Sequence, residues 1–139
     1  MTISELIRME CDSVGVKVRK TLEGMEEAHY GFKVTPQAMT PAETLEHLAE
    51  CYVAFQKIAS GEQHDWGSYS APDKSPAALM ANWEAERAKA VAFALSDDSH
   101  AEHAHDFISA HDHYHVGQLA LIRMAVDPSW DPYSIYQAG

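Results

Sequence analysis

The chain has 139 residues, 46% of them apolar, which suits one domain built on a single core. Acidic residues outnumber basic ones by 21 to 10, a formal charge of −11, and a surface of that sign repels phosphate backbones and anionic membranes. No apolar run approaches the roughly 18 residues of a membrane span, and Cys11 and Cys51 form no CxxC pair for a zinc ribbon or redox motif.

The N-terminus lacks the basic, apolar and small-residue blocks of a secretion signal, so a cytoplasmic location is expected and a disulfide is not. The first predicted helix runs from about Thr2 to about Ala28, with Ile3, Leu6, Ile7, Val14, Val18, Leu22 and Met25 at helical spacing. The second begins at Thr40-Pro41-Ala42-Glu43, where Thr is the N-cap, Pro suits the first helical position and Glu completes a capping box. Leu45, Leu48, Tyr52, Phe55 and Ala59 form its stripe, Gly61 is a plausible stop, and His47 projects at the stripe's edge near Cys51. Residues from about Glu62 to Lys74 show no period and are rich in turn formers, as in a connection crossing one end of a bundle.

The third helix starts near Ser75-Pro76 and carries Leu79, Met80, Trp83, Arg87, Val91 and Leu95. The fourth opens at Ser99, with Glu102 placed for another capping box, and ends at Asp127-Pro128. Its apolar stripe is Ala104, Phe107, Ile108, Leu119, Ile122 and Val126. The aromatic tail around Trp130, Tyr133 and Tyr136 is expected to pack over the bundle. Four amphipathic helices and no strand pattern predict an all-α four-helix bundle as one domain over residues 1–139. The short third link makes helices three and four antiparallel neighbours, and the longer links permit a crossover.

Nine histidines are many for this length, and six of them fall between His100 and His115. Most suit a solvated helix surface. His111 and His115 differ, because four residues advance a helix a little over one turn and put both imidazoles on the apolar face. A buried imidazole without a partner costs roughly 1–3 kcal/mol, and a metal ion satisfies both rings at once. His47 supplies a third imidazole from another helix, and three are the usual protein complement of an open zinc site. The candidate metal ligands are therefore His47, His111 and His115. His113 is rotated about 200° from His111 and should face solvent. Cys51 reads as a small buried hydrophobe, Trp83 as core, and Gln118 and Gly117 as packing details or, respectively, a ligand-orienting amide and a site of close helix approach. Glu43, Glu46 and Glu50 surround His47; any single one of them reads first as part of a solvated acidic face, and the alternative is a partner that holds the free nitrogen of His47. No inward carboxylate stands out as a general base.

The elements Thr44-Leu45-Glu46-His47-Leu48 and His111-Asp112-His113-Tyr114-His115-Val116-Gly117-Gln118-Leu119 resemble the DinB-like (DinB/YfiT) proteins. That family places one histidine on helix two and a His-x-x-x-His pair, often followed by Gly-Gln, on helix four. The resemblance spans the chain in the order of its elements. It implies a bundle with a long crossover between helices two and three, and a divalent metal, often zinc or nickel, on His47, His111 and His115. It further implies open coordination positions, a small-molecule substrate, in some relatives a low-molecular-weight thiol, and a homodimer. Two functional readings suit such a chain: a metal-dependent transferase or hydrolase, and a metal- or ligand-binding bundle without turnover.

Overall fold

In the computed structural model, residues 1–137 are described. Four long helical stretches carry the fold, and no described residue is in a strand. Helix α1 (Ile3–Leu22) opens on a capping box, with the Thr2 side chain accepting from the Glu5 N–H and Glu5 returning the bond. It ends earlier than its apolar period predicts. Gly24 takes a left-handed turn (φ +71°), and a short 3-10 turn over Glu27–Gly31 comes next.

Helix α2 (Pro41–Ala59) begins at the predicted Thr40/Glu43 box with Pro41 in the first turn. Helix α3 (Pro76–Leu95) is capped by Ser75. The fourth helix departs from its predicted start. Asp97, not Ser99, supplies the cap: it accepts from the Ser99 N–H and opens a 3-10 turn over Asp98–His100. Helix α4 (Ala101–Ala104) passes through a π turn (His105–Ser109) into α5 (Ala110–Val126) without leaving right-handed helical geometry. A π turn carries one extra residue and resets the face presented by the helix beyond it. This one ends two residues before His111.

The core collects Val14 and Val18 from α1, Leu45, Leu48, Tyr52 and Phe55 from α2, Trp83 from α3, and Ile108 and Leu119 from the fourth helix, all buried. Helix α2 lies chiefly against α3, and α1 against α5. Helix α3 meets the fourth helix mainly at the latter's first turns, so the expected close pairing of helices three and four is strongest at that end. The tail packs through Ile135 and the half-buried Trp130, whereas Tyr133 and Tyr136, at 74% and 69% exposure, do not cover the bundle as expected. No helix among the described residues is long and apolar enough to cross a membrane.

The link after α2 folds back along that helix rather than swinging free. Glu50 accepts hydrogen bonds from His64 Nε2 (3.0 Å) and from the backbone N–H groups of Gly67 (2.9 Å) and Tyr69 (3.3 Å). Glu46 accepts from Ala71 N (2.8 Å) and pairs with Lys74. A connection without secondary structure leaves many backbone donors unmatched, and these two carboxylates take three of them. Trp66 is thereby held parallel to Phe107 of the π turn, their centroids 6.5 Å apart.

Candidate metal centre

His47 projects from the second turn of α2 towards α5, and His111 and His115 project from adjacent turns of α5 towards α2. All three point an Nε2 at one spot. The Nε2 atoms of His47 and His111 are 3.3 Å apart, those of His111 and His115 3.1 Å, and one nitrogen of each ring lies within 4.8 Å of the others. The rings meet at steep angles, 71°, 67° and 85°, so their nitrogens converge like blades on an axle instead of stacking. An ion held tetrahedrally at about 2.0–2.1 Å separates its ligand nitrogens by about 3.3–3.4 Å. The two spacings from His111 fall close to that edge length.

The environment keeps these rings neutral. Burial pushes His111 and His115 down to about 4, with the neighbouring imidazoles adding to the shift. Burial also lowers His47, against the field of Glu50. A neutral imidazole has a free lone pair, which is the form a cation binds. Hydrogen bonding among the rings does not satisfy them. An imidazole nitrogen either donates or accepts, and the Nδ1 atoms of both His111 and His115 are buried without a partner. The donor set, its spacing and its protonation all fit a divalent cation.

The surroundings differ from the sequence expectation in three respects. Asp112, beside His111, is fully buried, whereas the sequence pattern marks no inward carboxylate. Its Oδ2 accepts from the Tyr52 hydroxyl (2.9 Å) and from Arg87 Nη2 (3.3 Å). Trp83 Nε1 donates to the same Tyr52 oxygen (2.9 Å), and Arg87 Nη2 also donates to the Cys11 carbonyl (2.7 Å). The signal lies in the register: Asp112 stands four residues from both Ile108 and Val116, on the buried stripe. Secondly, Glu43 caps α2, while Glu46 and Glu50 hold the loop, so none of the three hydrogen-bonds His47. Thirdly, Gly117 has open space where a side chain would stand, so it serves no close helix approach.

Cys51 is buried one turn after His47, with Sγ 3.8 Å from His47 Nε2, outside the converging group. Burial pushes its thiol up to about 12, as for an inert core cysteine. On the open side, the Tyr114 ring meets His115 edge-on at 5.0 Å, and Gln118 donates to the Tyr114 hydroxyl (3.1 Å). The other helix-four histidines stay outside the cluster: His113 bonds the Ser109 carbonyl, His100 stacks on Phe93, His105 faces Glu10, and His103 lies near Phe107.

Compared with protein-family models, curated proteins and solved structures, the chain finds no match. The likeness to DinB-like proteins therefore rests on the two histidine elements and the helix order alone.

Proposed function

We propose that this chain is a DinB-like bundle that holds a divalent cation, zinc or nickel, on His47, His111 and His115 and acts on a small molecule there. The carrying observation is the convergence of three neutral imidazoles from two helices distant in sequence, His111 Nε2 lying 3.3 Å from that of His47 and 3.1 Å from that of His115. The contacts between α2 and α3 support the family's crossover. They step the same way along both helices, Tyr52 to Trp83 and Phe55 to Phe93, and Glu46 earlier on α2 pairs with Lys74 just before α3. Parallel neighbours need a link that returns along the bundle, and the loop pinned by Glu50 and Glu46 takes that path.

A bound divalent ion would supply Lewis-acid activation of a water, thiol or carbonyl. The chain's own part is positional. The two helices fix the three rings, burial keeps them deprotonated, and Tyr114 and Gln118 offer hydrogen-bonding groups on the open side. No fourth protein side chain among the described residues joins the converging group, which favours an open site over a closed structural one. These features suit a thiol-dependent transferase or a hydrolase. Pairing of two copies and a cytoplasmic, small-thiol context belong to the same proposal.

One observation favours the second reading, a binding bundle without turnover. The buried carboxylate nearest the rings in sequence, Asp112, is committed to Tyr52 and Arg87. Elemental analysis of purified wild type and His115→Ala tests the shared premise. We expect about one equivalent of metal in the wild type and little in the variant, with unchanged far-ultraviolet dichroism. Full occupancy in His115→Ala would remove that ring from the site. Consumption of a small thiol with an electrophile by the metal-loaded protein, and not by the variant, then separates enzyme from binder.

A further inference from the structure

We propose that the cavity beside Gln118 receives the uncharged, apolar tail of the small molecule whose polar head reaches the histidine cluster. The inference rests on the metal reading above and adds the class of substrate. The cavity holds about 290 Å³, between Val34, Ala38 and Met39 of the link before α2 and Gln118, Leu121 and Ile122 of α5. None of its lining residues carries a charge. In a chain with 31 charged side chains (10 basic and 21 acidic), an uncharged lining of that size stands out. Val34, Met39 and Leu121 keep 39%, 39% and 50% of their surface exposed there, apolar area that an apolar ligand would cover.

Its position connects it to the rings. Gln118 comes three residues after His115, a rise of about 4.5 Å, and Leu121 and Ile122 come six and seven after it, about 9–10 Å. On the opposite wall, Met39 precedes the α2 cap at Thr40, and His47 stands seven residues past that cap, again about 10 Å along the helix. Both walls thus place the cavity about 10 Å along the bundle from the Nε2 atoms. Gln118 sits between, tied through Tyr114 to the ring of His115. A chain of about six to eight atoms spans that distance. The volume is at the lower end for ligand pockets, and the lining offers no cation for a phosphate or carboxylate. A larger cavity, about 470 Å³, is lined by Arg19, Lys20 and Glu23 among others and by no residue of α2 or α5, the helices that carry the histidines.

A homologous series of alkyl hydroxamates, whose common head chelates zinc, reads the tail alone. In the zinc-loaded protein, affinity should rise about three- to fourfold per added methylene from hexanohydroxamate to nonanohydroxamate, whose tails are long enough to enter the cavity. Ala38→Trp, which fills the cavity, should flatten that slope. Leu121→Glu, at a half-exposed position that tolerates a charge, should flatten it without risk to the fold. Metal-free protein gives a second readout, in which 1-hexanol shifts the amide signals of Ala38 and Leu121. A flat series in the wild type, with hexanohydroxamate still bound, overturns the cavity's role and leaves the metal reading standing. Hexanol shifts without binding of any hydroxamate overturn the metal reading, and the proposal with it.

Discussion

Two polar groups lie inside this bundle, and they are composed in opposite ways. In the Asp112–Arg87–Tyr52–Trp83 network, donors meet acceptors: an indole and a guanidinium donate, a carboxylate accepts, and a hydroxyl does both, with the Cys11 carbonyl tying in α1. In the histidine cluster, three groups of one kind face each other, and two Nδ1 atoms have no partner. The first pairs unlike groups and joins all four long helices, and it leaves Asp112 Oδ1 and Arg87 Nε buried without a partner. The second brings together three ring nitrogens of one kind that could hold a metal ion. Members that complement one another can pair, whereas three neutral imidazoles leave lone pairs of the kind a cation binds.

The largest expected effect lies in the Asp112 network. Arg87→Leu leaves the Asp112 carboxylate buried without its cation, and breaking a buried pair costs about 3–5 kcal/mol. Urea unfolding of metal-free protein at pH 8 measures it. Burial already pushes Asp112 up to about 7, against the pull of Arg87 and Tyr52, so the carboxylate is charged at that pH. The double variant Arg87→Leu/Asp112→Leu should recover at least half of the loss, since apolar replacement of a whole buried pair is often near neutral. A single-variant cost below about 1 kcal/mol would show that the network does not hold the helices together.

His115→Leu should do the reverse. It removes a buried ring with an unpartnered nitrogen and keeps the site apolar and filled. Metal-free stability should change by less than about 1 kcal/mol, while zinc affinity falls by more than the roughly 100-fold typical of losing a partner that only orients a ligand. Metal-free destabilisation as large as that of Arg87→Leu would make the two regions equivalent and end the comparison.

Acidity separates them by sign. His111 and His115 are held near 4 in the fold, below the ordinary 6.5 of an unfolded histidine. Between those values the unfolded chain binds more protons, so these rings make metal-free stability fall as pH drops from about 6.5 towards 4. Asp112 opposes this, because its raised value favours the fold as pH falls through about 7. Glu50 acts on His47 from α2 and Arg87 on Asp112 from α3, and both remain in the two proteins whose slopes are compared. The pH slope of wild type minus His111→Ala/His115→Ala isolates the rings. A difference curve that is flat between pH 6.5 and 4.5 contradicts their depressed values.

The smallest effect is a control beside the cluster. Gly117 lies within α5, and a methyl group there meets nothing within 4 Å. Gly117→Ala should raise thermal stability by about 0.5–1 kcal/mol and leave zinc affinity alone. A loss of stability would mean that the added methyl group does meet a neighbour.

The helical elements and the triad are legible in the amino-acid sequence, because both obey local rules. Thr40-Pro41-Ala42-Glu43 begins a helix through bonds within four residues, and His111 and His115 share a face through the 3.6-residue repeat. The stripes also mark Tyr52, Trp83 and Arg87 as inward residues, without naming what each would meet. Those meetings are set by the packing of whole helices. Asp112, Arg87 and Tyr52 come from three helices, and their junction depends on how each helix is rotated against the others. That rotation is fixed by packing and by the π turn at His105–Ser109, which has no sequence mark as plain as a cap. The same holds for Glu46 and Glu50, read in sequence as a face around His47. Their carboxylates turn to the returning loop because its unpaired backbone N–H groups lie within reach only once α2 and α3 have packed.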